Sequence, residues 1–303
     1  MEPPSMEPTP TPTPPSPDAA SPRAAIGRTD CATDTITPGP VIRMQATIND
    51  AVEDPAPGDP LPPLWHWLYT LPAATMTDVG PDGHARLGGF LPAVPQERRM
   101  WAGGRLTFHD VPLGIGGTIT RESEILDVQE KTGAAGAMVF VTVRHAISTA
   151  RGLAVEEDHD IVYVARPPAF VPPKPRAAPP DPLWREPLPV DPVRLFRFSA
   201  LTFNGHRIHY DRTYATEVEG FPGLVVHGPL QAMAMMESAR RQVPSGRPHT
   251  FAYRGVRPLF DTETAAVQGY ARADGGLDLM TVNGDGFVCM TATVHWHSAD
   301  DSR

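Results

Sequence analysis

Apolar and polar residues alternate with a period of two in the C-terminal part of the chain. Val288, Met290 and Val294 alternate with Cys289 and Thr293, which is the pattern of a half-buried β-strand. The segments with this character predict strands at 250–253, 265–273, 277–283 and 287–297. Their order along the chain favours an antiparallel sheet.

A helical pattern precedes most of these strands. Gly228 is followed by Pro229, and proline is preferred at the first helical position because its missing N–H is not needed there. Leu230, Met233 and Met236 then recur at helical spacing, so we expect them to lie in the core. This part of the chain predicts one helix lying on an antiparallel sheet.

The N-terminal part shows a similar set of elements. Residues 44–52 are compatible with a short helix, and Val139, Val141 and Val143 would share one face of a strand. We predict strands at 118–126, 137–146 and 161–164. Because helices and antiparallel strands occur in both parts, the fold class is α+β.

Proline-rich segments divide the chain. Residues 1–42 are dominated by Pro, Ser, Thr and Ala and cannot bury enough apolar surface to offset chain entropy, so we predict a disordered tail. Residues 167–192 form a second proline-rich stretch, which we interpret as an extended linker. The boundaries predict an N-terminal domain at 43–166 and a C-terminal domain at 193–300.

Charge and cysteine content narrow the class of protein. The formal net charge is −9 and the pI is about 5.6, which argues against binding to nucleic acid or to anionic membranes. Cys31 and Cys289 are too far apart to suggest a disulfide framework or a metal site, and a reducing cytoplasm fits them best. We find neither a targeting signal nor an apolar run of the roughly 18 residues that a spanning helix needs.

The candidate chemistry lies between residues 196 and 241. His209 has an ordinary pKa close to neutral pH and suits proton transfer, whereas Asn204 can orient a water molecule but cannot take its proton. The N–H of Gly228, at the start of a helix, could stabilise charge on a carbonyl oxygen. His209 could alternatively be a core histidine and Gly228 only a helix cap. His206 and His209 lack a convincing third ligand, so we expect no metal site.

Several cationic residues are candidates for binding an anionic substrate. Arg86, Arg98 and Arg99 lie in a glycine-rich segment among aromatic residues, where arginine could make bidentate contact with a carboxylate or phosphate. Arg207 and His227 flank the candidate site and join this group. The alternative for the arginines, a solvated loop rim, remains open from the sequence.

Two blocks of residues resemble a known family. The first block comprises residues 198–211, FSALTFNGHRIHYD, and residues 224–231, LVVHGPLQ. It resembles the C-terminal signature of the type 2 hydroxyacyl-thioester dehydratase family, a MaoC-like group. LPPLWHWLYTLP, DGHARLGGFLP and RRMWAGGRLTF resemble that family's N-terminal segments. The resemblance covers roughly residues 40–300, and its members include mesaconyl-C4-CoA hydratases and itaconyl-CoA hydratases.

The resemblance implies a double hotdog fold, with two antiparallel sheets that each wrap around a central helix. Related MaoC-like hydratases carry an Asp followed five residues later by a His; here these positions hold Asn204 and His209. Fatty-acid dehydratases of the superfamily carry a carboxylate five residues after the helix glycine, where this chain has Met233. The first half has no Asn-x4-His motif before a comparable His-Gly helix start, so we expect only the second half to be catalytic and the first half to shape the acyl tunnel.

The function implied is that of a hydro-lyase that adds water reversibly to the 2,3 double bond of a small enoyl-CoA, with mesaconyl-C4-CoA to citramalyl-CoA as the leading candidate. CoA enters only as part of the substrate, and no separate cofactor is expected. Itaconyl-CoA hydration, (R)-3-hydroxyacyl-thioester dehydration, thioester hydrolysis and non-catalytic acyl-CoA binding are the alternatives. We expect a homodimer.

Overall fold

Ten strands and three α-helices organise the parts of the chain that the computed structural model describes, which are residues 21–48, 52–133 and 136–297. The strands are β1 (Thr29–Thr35), β2 (Arg98–Phe108), β3 (Thr118–Gly133), β4 (Gly136–Thr149), β5 (Gly152–Val164), β6 (Trp184–Pro187), β7 (Pro248–Gly255), β8 (Ala265–Ala271), β9 (Leu277–Asn283) and β10 (Val288–Trp296). The helices are α1 (Pro38–Ile48), α2 (Pro192–Leu201) and α3 (Gly228–Gln242). No helix within these ranges is long and apolar enough to cross a membrane.

The strands form one continuous antiparallel sheet instead of two separate ones. Its order is β1-β3-β4-β5-β2-β7-β10-β9-β8-β6, so two five-stranded halves are joined where β2 pairs with β7. Glycine permits this junction, because a Cβ on Gly104 would lie 2.2 Å from the hydroxyl oxygen of Tyr253 on β7. The α+β class is confirmed, and the two predicted sheets are continuous through a backbone ladder.

Helix α3 lies against the second half of the sheet. Leu230, Met233 and Met236 are fully buried in the main core, as their helical spacing predicted. Trp65 also reaches this core, where its indole N–H donates to Glu237 of α3 at 2.9 Å. The tryptophan-rich segment that precedes β2 therefore ties the first half of the chain to the helix of the second.

A loop covers part of the first half of the sheet where the second half has a long helix. Val139, Val141 and Val143 of β4 are buried and share one face, as predicted. Loop residues 87–94 pack their apolar side chains against this face. Helix α1 instead inserts Val41 and Met44 into the main core.

Order in the region 21–42 corrects the prediction of a disordered tail; residues 1–20 lie outside the described ranges. Strand β1 pairs with β3 from Thr29 opposite Glu124 to Thr35 opposite Thr118, and α1 follows it. An edge strand is stabilised by backbone hydrogen bonds to a single neighbour, so it can form from a largely polar sequence such as TDCATDT. The amino-acid composition of this segment gives no information on its pairing with β3.

Two further strands were not predicted. Strand β2 lies in the glycine-rich segment with Arg98 and Arg99, where the sequence shows no strand pattern, and β6 lies within the predicted linker at 167–192. Strand β6 pairs with β8 from Trp184 opposite Gly269, where a side chain larger than glycine would collide with the indole. Part of the linker therefore completes the edge of the sheet.

Candidate active site

A reversal of the chain after α2 brings the candidate residues to one wall. Phe203 adopts a left-handed conformation (φ 48°), and Asn204 N–H donates to the carbonyl of Ser199 at 2.8 Å. The side-chain oxygen of Asn204 then accepts the N–H of His206 at 3.0 Å, and a 3-10 turn carries the chain to His209. The local alternation around His209 belongs to this turn and not to a strand.

His209 is held as a neutral base. Its Nδ1 lies 2.7 Å from the carbonyl oxygen of Val225. Because a carbonyl can only accept, Nδ1 carries the proton and Nε2 keeps a lone pair. Burial lowers the pKa of His209 to about 4, and the nearby His84 contributes in the same direction, although the Val225 carbonyl opposes the shift. The residue is therefore uncharged and ready to accept a proton at neutral pH.

His227 lies behind His209 and does not reach the cavity wall. The two rings stack with centroids 3.7 Å apart and planes inclined by 18°. His227 is fully buried, and its Nε2 lies 2.8 Å from the hydroxyl of Ser199. The sequence placed His227 among the substrate-binding residues, whereas this position makes it a support for the His209 ring.

Gly228 begins α3 next to an indole ring. A Cβ at this position would lie 2.3 Å from Cε3 of Trp101, so only glycine fits without displacing that side chain. The first helical hydrogen bond runs from Gln231 N–H to the carbonyl of His227, which leaves the Gly228 N–H without an acceptor among the residues described. Gly228 itself lines a cavity at this end of α3, which is the positive end of the helix dipole.

Both halves of the sheet contribute to that cavity, whose volume is about 1700 Å³. Asn204, His209 and Gly228 line it from the second half. His84, Arg99, Trp101, Glu157 and His159 line it from the first half. The volume exceeds the roughly 300–1,000 Å³ of common small-molecule pockets, so a long ligand can be accommodated.

An Asp–His pair of the first half adjoins the turn that carries His209. Nδ1 of His84 lies 2.9 Å from Asp82 Oδ2, and the His84 ring packs 4.0 Å from that of His206. Asp82, His84 and His206 also form the one group within the described ranges whose ligand atoms are close enough to suggest a metal site. The sequence analysis did not identify this group, although DGH and NGH repeat the same glycine-histidine pair.

A glycine contact explains how these distant segments meet. Gly83 has a positive φ of 91°, and a Cβ there would lie only 1.8 Å from the carbonyl oxygen of Gly205. The backbone N–H of Arg207 donates to the Asp82 carbonyl at 2.9 Å beside this crossing. The close approach of two backbones therefore positions His84 against His206.

A second polar group lines the first-half side of the cavity. Glu157 is buried, with His66 Nε2 at 3.3 Å and the Trp67 indole N–H at 2.9 Å from its carboxylate. Burial alone would raise the pKa of Glu157, but hydrogen bonding to His66 and the charges of His66, His145 and His159 lower it to about 2. This carboxylate is therefore ionised and held by structural partners. The sequence analysis did not identify it.

Two of the predicted substrate-binding arginines are engaged in the protein. Arg98 is buried and donates to both the side chain and the backbone carbonyl of Glu219 at 2.9 Å. Arg207 donates to Asp211 at 2.7 and 3.0 Å and packs over a tyrosine ring. Glu219 also pairs with Arg166, so Arg98 shares its carboxylate with a second arginine, whereas Arg207 has Asp211 as its partner. Both guanidinium groups are therefore already bound to carboxylates of the protein.

Arg99 and Arg86 differ from that pair. No ion pair joins either of them to a carboxylate in the part of the chain that the structure describes. Arg99 is half-buried on the cavity wall, and its charge contributes to lowering the pKa of His84 and of His206, after burial. Arg86 also lines the cavity but is exposed. Arg99 is thus a cation placed inside the cavity near the histidines.

Comparison with known proteins assigns the chain to a family. The profile of hydroxyacyl-thioester dehydratase type 2 matches residues 64–261. The chain is 46% identical over 276 residues to a mesaconyl-C(4)-CoA hydratase of Chloroflexus aurantiacus. The aligned region covers 89% of this chain and 96% of that protein. The chain belongs to the hydroxyacyl-thioester dehydratase type 2 family. A mitochondrial hydroxyacyl-thioester dehydratase type 2 of Schizosaccharomyces pombe is 29% identical over 258 residues, covering 75% and 85%.

Solved structures of low sequence identity share the fold. HtdX of Mycobacterium tuberculosis superposes with a TM-score of 0.64 at 19% identity, covering 89% of this chain and all of that one. Another Mycobacterium tuberculosis protein, described as a double hotdog, gives 0.58 at 14% identity over 89% and 96% of the two chains. The family resemblance and the double hotdog fold inferred from the two motif blocks are therefore confirmed.

Asn204 and His209 differ in the chemistry that they can offer to a substrate in the cavity. This member of the dehydratase family presents an amide, Asn204, on the cavity wall five residues before His209. The amide oxygen already accepts a backbone N–H, and an amide cannot act as a base. Of these two side chains, only His209 can accept a proton.

Proposed function

We propose that the protein is a hydro-lyase that adds water reversibly to the 2,3 double bond of mesaconyl-C4-CoA to give citramalyl-CoA. The observation that carries this proposal is the pairing of a neutral His209, whose Nε2 is not the hydrogen-bonded nitrogen, with the N–H of Gly228 at the start of α3 on one cavity. The name of the Chloroflexus aurantiacus relative supports the choice of substrate.

Gly228 would act on the thioester. Its N–H donates to the thioester oxygen, withdraws electron density from the conjugated double bond and makes the β carbon electrophilic. As the reaction proceeds, negative charge grows on the same oxygen, so this hydrogen bond is stronger in the transition state than in the bound substrate. The helix dipole of α3 adds to that stabilisation.

His209 would transfer the proton. Nε2 removes a proton from the attacking water as its oxygen bonds to the β carbon, and the electrons of the double bond move onto the thioester as an enolate. The protonated Nε2 then delivers this proton to the α carbon, which restores the neutral imidazole and balances the addition of one water. Asn204 keeps its amide N–H groups available to orient the water oxygen.

Arg99 would bind the free carboxylate of a dicarboxylic acyl group. It is a cation on the cavity wall without a carboxylate partner among the described residues, whereas Arg98, its neighbour in sequence, is hydrogen-bonded to Glu219. Bidentate pairing with a carboxylate is the contact for which guanidinium is suited. Arg86, which is exposed, is the second candidate for an anionic group of the substrate.

The test is a comparison of three thioesters. Purified protein is assayed for hydration of mesaconyl-C4-CoA, itaconyl-CoA and crotonyl-CoA, with kcat/KM measured for each. We expect the highest value for mesaconyl-C4-CoA and a loss of its advantage over crotonyl-CoA in Arg99→Gln. Equal or greater efficiency on crotonyl-CoA would reject the dicarboxylate assignment and favour an ordinary (R)-3-hydroxyacyl-thioester dehydratase.

One observation favours a second function, acyl-CoA binding without turnover. Asn204 stands where related hydratases have an aspartate, so the turn offers one proton acceptor in place of two. Tight binding of all three thioesters with no hydration would support this alternative, and release of free CoA would identify a thioesterase.

A homodimer and a cytoplasmic location stay predictions. Size-exclusion chromatography with light scattering would test the first, and fractionation of cells would test the second.

A further inference from the structure

The loss of a carboxylate at position 204 leaves a chemical requirement unmet. A water molecule that attacks a carbon has two O–H groups, and His209 can accept only one of them. In the second half, the side-chain oxygen of Asn204 is engaged with the N–H of His206. A further acceptor on the same cavity would fix the orientation of the water before attack.

His84 has the geometry of such an acceptor. A carboxylate can only accept, so the 2.9 Å contact with Asp82 means that Nδ1 of His84 carries the proton and Nε2 keeps a lone pair. Asp82 is itself fixed, since its other oxygen accepts the backbone N–H of His84 at 3.1 Å. His84 lines the cavity together with His209 and Asn204.

Position also relates His84 to the reaction centre. The His84 ring packs 4.0 Å from the His206 ring, and the His206 ring lies 5.4 Å from that of His209 in an edge-to-face arrangement. The contact between Gly83 and Gly205 fixes this approach through the backbone. The two segments are far apart in sequence, and the Arg207 guanidinium bonds to the Pro81 carbonyl 126 residues away at 3.0 Å.

We propose that His84, oriented by Asp82, is a second catalytic residue that accepts the other O–H of the attacking water and so replaces the acceptor missing at Asn204. This proposal rests on the proposed hydratase function. His209 still takes and returns the proton; His84 holds the water and its own protonation does not change. The first half thereby contributes to the reaction directly and not only through the shape of the cavity.

The charges around His84 keep it in the required state. Burial is the largest cause that lowers the pKa of His84, and Arg99 lowers it further, whereas Asp82 raises it, with a result of about 4. His206 also faces His84, with the two ring centroids 4.0 Å apart. Because Nδ1 of His84 is bonded to Asp82, Nε2 is the nitrogen that can accept a hydrogen bond.

The experiment compares single and double variants in hydration of mesaconyl-C4-CoA. We expect His84→Gln to lower kcat by about 100-fold and Asp82→Asn by about 10-fold, with little change in KM, because the water is misplaced while the thioester still binds. His249→Gln is the matched control, since His249 is exposed and does not line the cavity. Each variant is checked for Tm.

Double variants separate this role from a structural one. If His84 and His209 act on the same water, His84→Gln should cost much less in a His209→Ala background than in the wild type. A purely structural effect would multiply with the loss from His209→Ala and would lower Tm, and that result would overturn the proposal. If His84→Gln does not fold, the same cycle with Asp82→Asn gives the answer.

Three further results are decisive. A wild-type enzyme that turns over mesaconyl-C4-CoA while His84→Gln keeps its full kcat refutes the role of His84 and leaves the hydratase function standing. No turnover of any of the three thioesters by the wild type refutes the hydratase function itself. Loss of activity with EDTA and recovery with Zn²⁺ would show that Asp82, His84 and His206 bind metal instead, which overturns the proposed hydrogen bonding.

Discussion

The two five-stranded halves of the sheet border the same cavity, but they present different groups to it. The second half contributes the start of a long helix at Gly228 and the imidazole of His209, whose Nδ1 is bonded to the Val225 carbonyl. The first half contributes strand and loop side chains such as Glu157 and His84, and no residue of α1 lines the cavity. The two halves have the same number of strands, but one places the start of a helix at the cavity and the other places a bound carboxylate, Glu157, there.

The difference shows which features suit the second half for the proposed activation of a carbonyl. In the second half, the chain reversal at Phe203 and the Gly228–Trp101 contact bring a free N–H and a free imidazole nitrogen to one wall. In the first half, Glu157 is bound by His66 and Trp67, so its charge stabilises neighbouring side chains. An ionised carboxylate on the cavity wall is not available for proton transfer when its pKa is about 2.

The largest effect should come from the base of the second half. We expect His209→Ala to lower kcat for enoyl-CoA hydration by about 10²–10⁴-fold, because the proton acceptor is removed. His145 of the first half is the matched histidine, since it lines the cavity and its Nδ1 lies 2.8 Å from the Ser123 hydroxyl. His145→Ala should retain most of kcat, and equal losses in both variants would contradict the asymmetry of the halves.

Gly228→Ala should have the next largest effect. A methyl group 2.3 Å from Trp101 must displace the indole or the start of α3, so we expect kcat to fall by about 10²-fold and the free energy of unfolding to drop by about 1–3 kcal/mol. Gly89→Ala is the control in the first half, because its Cβ would have nothing within 4 Å. Kinetics and chemical denaturation measure the two quantities, and normal activity in Gly228→Ala would exclude its N–H from the mechanism.

Glu157→Gln should affect stability more than turnover. The substitution removes a buried charge that His66 and Trp67 contact, and we expect a loss of about 1–3 kcal/mol in the free energy of unfolding. Because Glu157 is held away from proton transfer, kcat should change by less than about 10-fold. Urea denaturation and steady-state kinetics on the same preparation check this, and a kcat loss as large as that of His209→Ala would assign a proton-transfer role to Glu157.

The smallest effect should come from pH between 5 and 8. His209 accepts a proton only when neutral and its pKa is about 4, so kcat/KM should be nearly constant in this range and fall as the pH drops through about 4. Stability moves in the same direction: His209 and His84 are depressed below the ordinary 6.5, so the unfolded chain binds more protons and stability declines as pH falls below 6.5. A pH profile of kcat/KM, recorded with Tm at each pH, separates the effect on activity from the effect on stability. An inflection in kcat/KM near pH 6.5 would contradict a neutral His209 in this range.

The sequence predicted the elements whose signals are local. Alternation located β9 and β10, and the Gly228–Pro229 pair located the start of α3. Strand β1 was not predicted because its stability comes from pairing with β3. Strand β2 was not predicted because its glycines, which are needed where Tyr253 crosses, are also common in loops. Partners distant in sequence, not local composition, stabilise these strands.

The same limit applied to the site. His209, Asn204 and Gly228 stand close together in sequence, so their residue types were sufficient to bring them forward as candidates. Asp82 and His84 reach His206 only through a backbone contact between two glycines, which no local pattern reports. The roles of Arg98 and Arg99 could not be separated either, because the difference is the presence of Glu219 beside only the first.

The central claim is that the thioester is activated in the second half, and a crystal structure with a saturated analogue such as methylsuccinyl-CoA tests it most directly. We expect the thioester oxygen to lie about 2.7–3.1 Å from the N atom of Gly228, with His209 Nε2 facing the β carbon. A thioester bound against Glu157 and His66, with the Gly228 N–H unoccupied, would contradict it.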